Sequence, residues 1–212
     1  MIVEYNRADN IIRVRSMAEK DLHKKANIRF LQAVNDTQYV DVFVNKELAV
    51  QMLPFQGVSD YFSLQPGTYT IDIRSSNGRK NMLLSTNIII QSGQIYTLVA
   101  VGIGEKTELF IVRNRPEVPF GEAKMRFLHL ASELQALDFA VKDRDVVFPH
   151  VSFQQITDYL GLTPMTVDLE LRIVGSKKVI FPMPKLKFNA NEACTIVLIG
   201  SEKELSITMI ID

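Results

Sequence analysis

The sequence predicts an all-β protein built from two tandem β-sandwich repeats behind a short, partly helical arm. Three observations lead there. The stretch Ser59-Asp60-Tyr61-Phe62-Ser63-Leu64-Gln65-Pro66-Gly67-Thr68-Tyr69 recurs as Thr157-Asp158-Tyr159-Leu160-Gly161-Leu162-Thr163-Pro164-Met165-Thr166-Val167, with Asp, Tyr, Leu, Pro and Thr at one spacing. Self-similarity of this kind marks a duplicated structural unit. From Asn27 onward apolar residues follow a period of two, and turn signals interrupt them at the intervals of a sandwich.

Residues 1–25 stand apart as an arm. Ile11, Val14, Ala18 and Leu22 fall at helical spacing, and Asp9 or Asn10 suits a cap. A helix within residues 16–24 is preferred; the competing reading is a short strand, Ile12-Arg13-Val14-Arg15, before a helical turn from Met17.

The first repeat spans residues 26–113. Ile28, Phe30, Gln32 and Val34 alternate with Arg29, Leu31 and Ala33, and Asn35-Asp36-Thr37 turns the chain. Val40, Val42 and Val44 form one face of the next strand, and Asn45-Lys46-Glu47 reads as a tight turn. Leu48–Leu53 is stopped by Pro54, and a strand over Val58–Leu64 ends at Pro66-Gly67. Tyr69, Ile71 and Ile73 alternate with polar partners up to Ser75-Ser76-Asn77-Gly78, an Asn-Gly turn signal. Strands follow over 86–90, 94–101 and 107–113, separated by Ser92-Gly93 and Gly102-Ile103-Gly104.

Asn114-Arg115-Pro116-Glu117-Val118-Pro119-Phe120-Gly121-Glu122 is a linker that its prolines keep from continuing a strand. The second repeat, residues 123–212, matches the first at Ala123, Arg126, Phe127, Gln135, Asp138, Val141, Phe153, Arg172, Thr195, Val197 and Gly200, with one residue gained between Lys142 and Ser152. Each repeat should form its own sandwich, with Phe30 and Phe127 at one core site and Tyr61 and Tyr159 at another. If the first two strands of each repeat form a hairpin, Arg29 faces Asp41 and Arg126 faces Asp138 as cross-strand ion pairs.

The runs Ala26-Asn27-Ile28-Arg29-Phe30-Leu31-Gln32-Ala33 with Val40-Asp41-Val42-Phe43-Val44, and Ala123-Lys124-Met125-Arg126-Phe127-Leu128-His129-Leu130-Ala131-Ser132 with Leu137-Asp138-Phe139-Ala140-Val141, resemble the opening of the bacterial domain-of-unknown-function 4397 family. Tyr61, Leu64 and Gly67 fit its Tyr-x-x-Leu-x-x-Gly turn; Met165 departs from it. The resemblance covers both repeats and not the arm. It implies immunoglobulin- or transthyretin-like antiparallel β-sandwiches, often secreted or surface-attached, with no established activity.

Lys+Arg and Asp+Glu number 24 each. A neutral chain with no basic run lacks the phosphate-neutralising patch of a nucleic-acid binder. No stretch has the length of a membrane span. Residues 1–10 have no apolar core of a secretory leader, so a cytoplasmic location is the default, with cell-envelope association implied by the resemblance. The single cysteine, Cys194, sits in an apolar run and reads as a buried strand residue. His23, His129 and His150 lie at no metal-ligand spacing. No Gly-x-Ser-x-Gly elbow, dinucleotide loop or calcium loop is present. Without Trp and with dispersed Tyr, no aromatic carbohydrate platform is evident.

The expected function is therefore a non-catalytic protein-binding or structural module without cofactor or metal. The partner is expected to be a protein or peptide, met on the loops at Asn45, Asn77, Gly104 and Arg144 or in the groove between the repeats. The alternative is a ligand- or glycan-binding protein of the cell envelope. A small hydrolase is a distant third. His129, His150 and Cys194 are expected to serve neither as metal ligands nor as nucleophile or base.

Overall fold

The computed structural model describes residues 23–76 and 81–212, so the expected helix within 16–24, apart from the non-helical His23 and Lys24, and the turn residue Asn77 lie outside the described residues. The described chain is all-β. Its first unit contains β1 (Ala26–Val34), β2 (Tyr39–Val44), β3 (Glu47–Pro54), β4 (Phe62–Leu64), β5 (Gly67–Ser75), β6 (Met82–Ile90), β7 (Ile95–Gly102) and β8 (Glu108–Asn114), with a 3-10 turn over Gly104–Lys106. The second contains β9 (Ala123–His129), β10 (Leu137–Val141), β11 (Val146–Val151), β12 (Leu160–Leu162), β13 (Met165–Ile173), β14 (Val179–Phe188), β15 (Ala193–Ser201) and β16 (Glu204–Ile211).

The sheets are β4-β1-β7-β8 and β3-β2-β5-β6 in the first sandwich, and β12-β9-β15-β16 and β11-β10-β13-β14 in the second. The second order is the first shifted by eight strands, so the internal repeat is a repeat of topology. The β1–β7 and β9–β15 pairs are parallel and every other pair is antiparallel. A constant-type immunoglobulin sandwich keeps its first two strands in one sheet. Here β1 and β2 lie in opposite sheets, so each unit is a sandwich of different strand order.

That separation overturns the expected Arg29–Asp41 and Arg126–Asp138 pairs, because β1–β2 and β9–β10 are corners between sheets rather than hairpins. Asp41 stands opposite Arg74 in the ladder and accepts the Met52 N–H at 2.8 Å. Asp138 stands opposite Arg172 and accepts the His150 and Gly175 N–H groups at 2.8 and 2.9 Å. Met52 and His150 have positive φ, 53° and 51°. The repeated aspartates therefore hold a strained edge-strand bulge in each repeat, and the repeated arginines serve elsewhere.

The strand expected over Val58–Leu64 is broken in a way that repeats. Val58 bridges Leu31, and Ser59 then leaves the ladder, its N–H donating to Phe30 O and its Oγ accepting from Phe30 N–H, both at 2.9 Å. Thr157 does the same to Phe127. The hydroxyl replaces a ladder carbonyl and frees the following Tyr61 or Tyr159 to swing off the strand line.

Two cores match the two sandwiches. Phe30 packs with Val40, Ile71, Ile73 and Leu98 in the first, and Phe127 with Phe139, Leu169, Leu171 and Ile196 in the second. A third apolar layer lies between them. Leu31, Ala33, Val99, Val101 and Val112 from the outer face of one sheet pack on Leu128, Leu130, Val197, Ile199 and Ile210 from the outer face of another. The strands β1, β7, β9 and β15 are thus covered on both faces, and nearly every residue along them is buried. The molecule is a block of four β layers.

Candidate functional site

The chemistry-bearing side chains fall into three places: the seam between the sandwiches, the buried first strand of the second repeat, and the loop ends.

In the seam each arginine reaches across to the other repeat. Arg29 Nε donates to Thr97 Oγ1 on the neighbouring strand at 2.9 Å, its Nη1 to the Ile211 carbonyl at 2.6 Å and its Nη2 to Asp212 Oδ1 at 2.8 Å. Arg126 Nε donates to Thr195 Oγ1 at 2.8 Å, its Nη1 to the Arg113 carbonyl at 3.2 Å and its Nη2 to Asn114 Oδ1 at 2.6 Å. Tyr61 and Tyr159 lie over the two guanidinium planes, at 4.7 and 4.2 Å. Asn114 and Asp212 end equivalent strands, so the two halves of the cluster are copies with arginines exchanged. Asp212 also accepts from Tyr159 Oη at 2.7 Å and Thr195 Oγ1 at 2.5 Å, and lies 3.3 Å from Arg126. Burial, and then the Asp212 carboxylate, raise the Tyr159 hydroxyl pKa and keep it protonated. The space left among these residues is about 10 Å³, too small for a ligand. This cluster is a clamp between the repeats.

His129 is fully buried on β9. Its Nδ1 accepts the Ala131 N–H at 3.2 Å and its Nε2 faces the Gln135 carbonyl at 3.3 Å. That geometry assigns the Nε2–H tautomer. Gln32 at the matching place does both jobs with its amide, accepting from Val34 N–H and donating to Thr37 O, each at 2.6 Å. Desolvation lowers the His129 pKa, more than the Gln135 hydrogen bond raises it. The ring's contribution to stability is thus fully present above the unfolded value near ~6.5 and is lost as pH falls below it, where the unfolded chain gains a proton and the folded one does not. His129→Gln should fold normally and flatten this acid loss, seen in urea titrations between neutral and acid pH. His129→Ala leaves two buried groups unpaired and should lower stability by about 1–3 kcal/mol. Equal pH dependence in parent and His129→Gln would refute the assignment.

Cys194 is buried on β15, and burial, with Asp212 and Glu192 nearby, pushes its thiol up to about 12. A thiol held protonated is a poor nucleophile. His150 is an exposed edge-strand residue. Among the described residues no group of three His, Cys, Asp or Glu side chains is placed to hold a metal, and no helix is long and apolar enough to cross a membrane.

The loops divide between the two ends of the block. Asn45 and Lys46, both at positive φ, form the two-residue turn from β2 to β3, and Asn45 Oδ1 accepts the Thr70 N–H at 2.9 Å. Arg144 lies in the corresponding β10–β11 turn, where Arg172 donates to its carbonyl at 2.8 Å. Gly104 is at the opposite end. There the β1–β2 corner, the flank of the β5–β6 hairpin and the β7–β8 turn enclose an open pocket of about 570 Å³ around Asp36, Met82, Gly104 and Glu105. The same three segments of the second repeat, joined by His150 of β11, enclose about 600 Å³ around Glu133, Leu137, Ile180 and Glu202. One hydrogen bond shapes both: Gly104 N–H donates to Asp36 at 3.0 Å, and Glu202 N–H to Glu133 at 3.1 Å. Gly102 and Gly200, at φ 130° and 116°, turn the chain into these loops, where a Cβ would strike the carbonyl of Lys106 or Glu204. Arg29 and Arg126 join the starts of β1 and β9 across the seam, and Asn35 donates to Gly200 O beyond their ends at 3.3 Å. The repeats therefore run side by side, and both pockets open at one end of the block.

The sequence points to Gly104 but not to this pairing of pockets, and it leaves the arginine clamp unseen. A family described as Domain of unknown function (DUF4397) matches residues 26–140, more than half of the chain: the whole first sandwich, the linker and the opening of the second. The chain belongs to this family. No curated protein matches it. The DUF4397 match ends at Ala140, within β10; the likeness of the two sandwiches beyond that point rests on the recurring residues up to Gly200, on their common strand order and on the paired clamps, pockets and bulges.

Proposed function

We propose that this DUF4397 protein is a non-catalytic binding or structural module, a rigid block that holds two equivalent end pockets side by side for a protein partner. The observation that carries the reading is the seam. A third apolar layer and two exchanged arginine clamps fix the pockets relative to one another, and two sites held in register bind a two-pronged partner more tightly than either alone. The pocket walls join apolar side chains to carboxylates, Asp36 and Glu105 in one and Glu133 and Glu202 in the other, a pairing suited to a peptide with basic side chains.

The alternative, a ligand- or glycan-binding protein of the cell envelope, draws support from pocket volumes that suit a small ligand. A cavity between the sandwiches would favour it further, but the seam is filled, and the groove beside it near Ile103, Phe153 and Gln154 is only about 190 Å³. The absence of catalysis is part of the proposal: His129 and Cys194 are spent on packing and hydrogen bonds.

The test uses the full chain as bait in an extract of its source cell, beside a Glu105→Arg, Glu202→Arg variant with an unchanged melting curve. A partner held by the parent and lost by the variant is expected. In parallel, hydrolase substrates and metal content are compared with a His129→Gln, His150→Ala, Cys194→Ala variant. An activity or bound metal present in the parent and lost there would overturn the proposal.

A further inference from the structure

Every sheet edge is a row of unpaired backbone groups that invites another strand, and proteins guard such edges with charge, proline, bulges or cover. Here most edges are guarded. The edge strand β14 carries Pro182, Pro184, Lys185 and Lys187, and β11 carries Pro149 and the His150 bulge. Strand β3 ends at Pro54 and is bent at Met52. Strands β8 and β16 have their ends covered from across the seam, where Arg126 takes the Arg113 carbonyl and Arg29 the Ile211 carbonyl. Strands β4 and β12 are three residues long.

Strand β6 is the exception among the described strands. Its nine residues, Met-Leu-Leu-Ser-Thr-Asn-Ile-Ile-Ile, include no charge, proline or glycine. It is paired with β5 in unbroken register from Ile90 back to Leu84, and among the described residues its other side has no strand, only the Gly104–Lys106 turn near its Met82 end. Ile89 is 73% exposed. An isoleucine so placed on a neutral edge is an aggregation hazard unless something covers it.

The strand itself indicates what covers it. About Thr86 its pattern is a palindrome. In a two-fold antiparallel pair centred there, Thr86 meets its own copy, Ser85 meets Asn87, Leu84 meets Ile88, Leu83 meets Ile89 and Met82 meets Ile90. Polar residues oppose polar, apolar oppose apolar, Thr–Thr is a favourable cross-strand pair, and no like charges face each other. An isologous contact needs such self-complementarity. The lightly charged β16 is less self-complementary: its best centre, Ile207, matches Ser206 with Thr208 and Leu205 with Met209 but sets Glu204 against Ile210.

We propose that β6 is the dimerisation edge of this protein, joining two copies through a continuous eight-stranded sheet centred on Thr86. Sedimentation equilibrium of the full chain should give twice the chain mass. Ile89→Lys places a charge outside the core and opposite Leu83 of the second copy, and should give one chain mass with the parent's far-ultraviolet circular dichroism spectrum, and a melting temperature that no longer depends on concentration. Facing residues of an antiparallel pair lie about 4.5–5.5 Å apart at Cα, within disulfide reach. Thr86→Cys should therefore form a covalent dimer under oxidised glutathione, while Met82→Cys, a strand length from its own copy, should not. This pair of variants decides the matter even if Ile89→Lys fails to fold. A parent of one chain mass, an Ile89→Lys dimer, or Met82→Cys linking as readily as Thr86→Cys would each overturn the proposal.

Discussion

Asp212→Ala is expected to lower the unfolding free energy by about 3–5 kcal/mol, the range for removing one partner of a buried ion pair. The side chains of Asp212, Arg29 and Arg126 are 1%, 6% and 5% exposed. Removing the carboxylate strands the Arg29 Nη2 donor and leaves the Tyr159 and Thr195 hydroxyls without their acceptor. Water cannot enter without opening the seam. Urea unfolding followed by far-ultraviolet circular dichroism measures the loss; a change below about 1 kcal/mol, the scale of an exposed pair, would show that the clamp is solvated.

The exchanged symmetry sharpens this expectation. Two buried guanidinium groups share one carboxylate, since Asn114 stands where the second repeat has Asp212. Asn114 donates to Tyr61 Oη at 3.2 Å and Thr97 Oγ1 at 2.9 Å. Both hydroxyls can rotate to donate instead, as Tyr159 and Thr195 do to Asp212. Asn114→Asp should therefore be accommodated, and combined with Asp212→Asn it should recover much of the stability lost in Asp212→Asn alone. The double variant recovering nothing would mean that the two halves are not equivalent.

What was legible in the sequence follows from how local each signal is. The strands rest on periodicity and spacing within a few residues, and the recurring strand order follows the repeat of the sequence. The seam also left a trace, in the unbroken apolar runs Leu98-Val99-Ala100-Val101 and Ile196-Val197-Leu198-Ile199. A half-solvated strand alternates, so such runs mark strands buried on both faces. The partner choice of Arg29 was not legible. In a duplicated sequence, pairing within a repeat and pairing across repeats use the same residue types at the same spacings, and only the folded seam distinguishes them. The end pockets were hidden for another reason: each draws on three or more segments far apart in the chain, and only Gly104 announced its turn. The assumed hairpin between the first two strands failed because a short polar connection serves a corner between sheets as well as a turn within one.

Leu128→Ala, in the middle of the seam, is expected to lower stability by about 2–5 kcal/mol, the cost of a truncated leucine in a closed core. Leu128 is 2% exposed and belongs to the apolar layer shared by Leu31, Val99 and Val197. If the sandwiches were independent domains in loose contact, water would fill the gap and the loss would be small. In a sealed layer the cavity persists and the lost contacts are not replaced. Leu48→Ala provides the comparison, because Leu48 lies on the edge strand β3 and is 49% exposed; it should stay within about 0.5 kcal/mol of the parent. The layer also joins the sandwiches energetically, since neither can unfold without baring the other's apolar face, so the parent should melt in one transition under fluorescence, circular dichroism and calorimetry. Two resolved transitions in the parent, or a Leu128→Ala loss no larger than that of Leu48→Ala, would show that the seam is a contact between two proteins on one chain and not a third core.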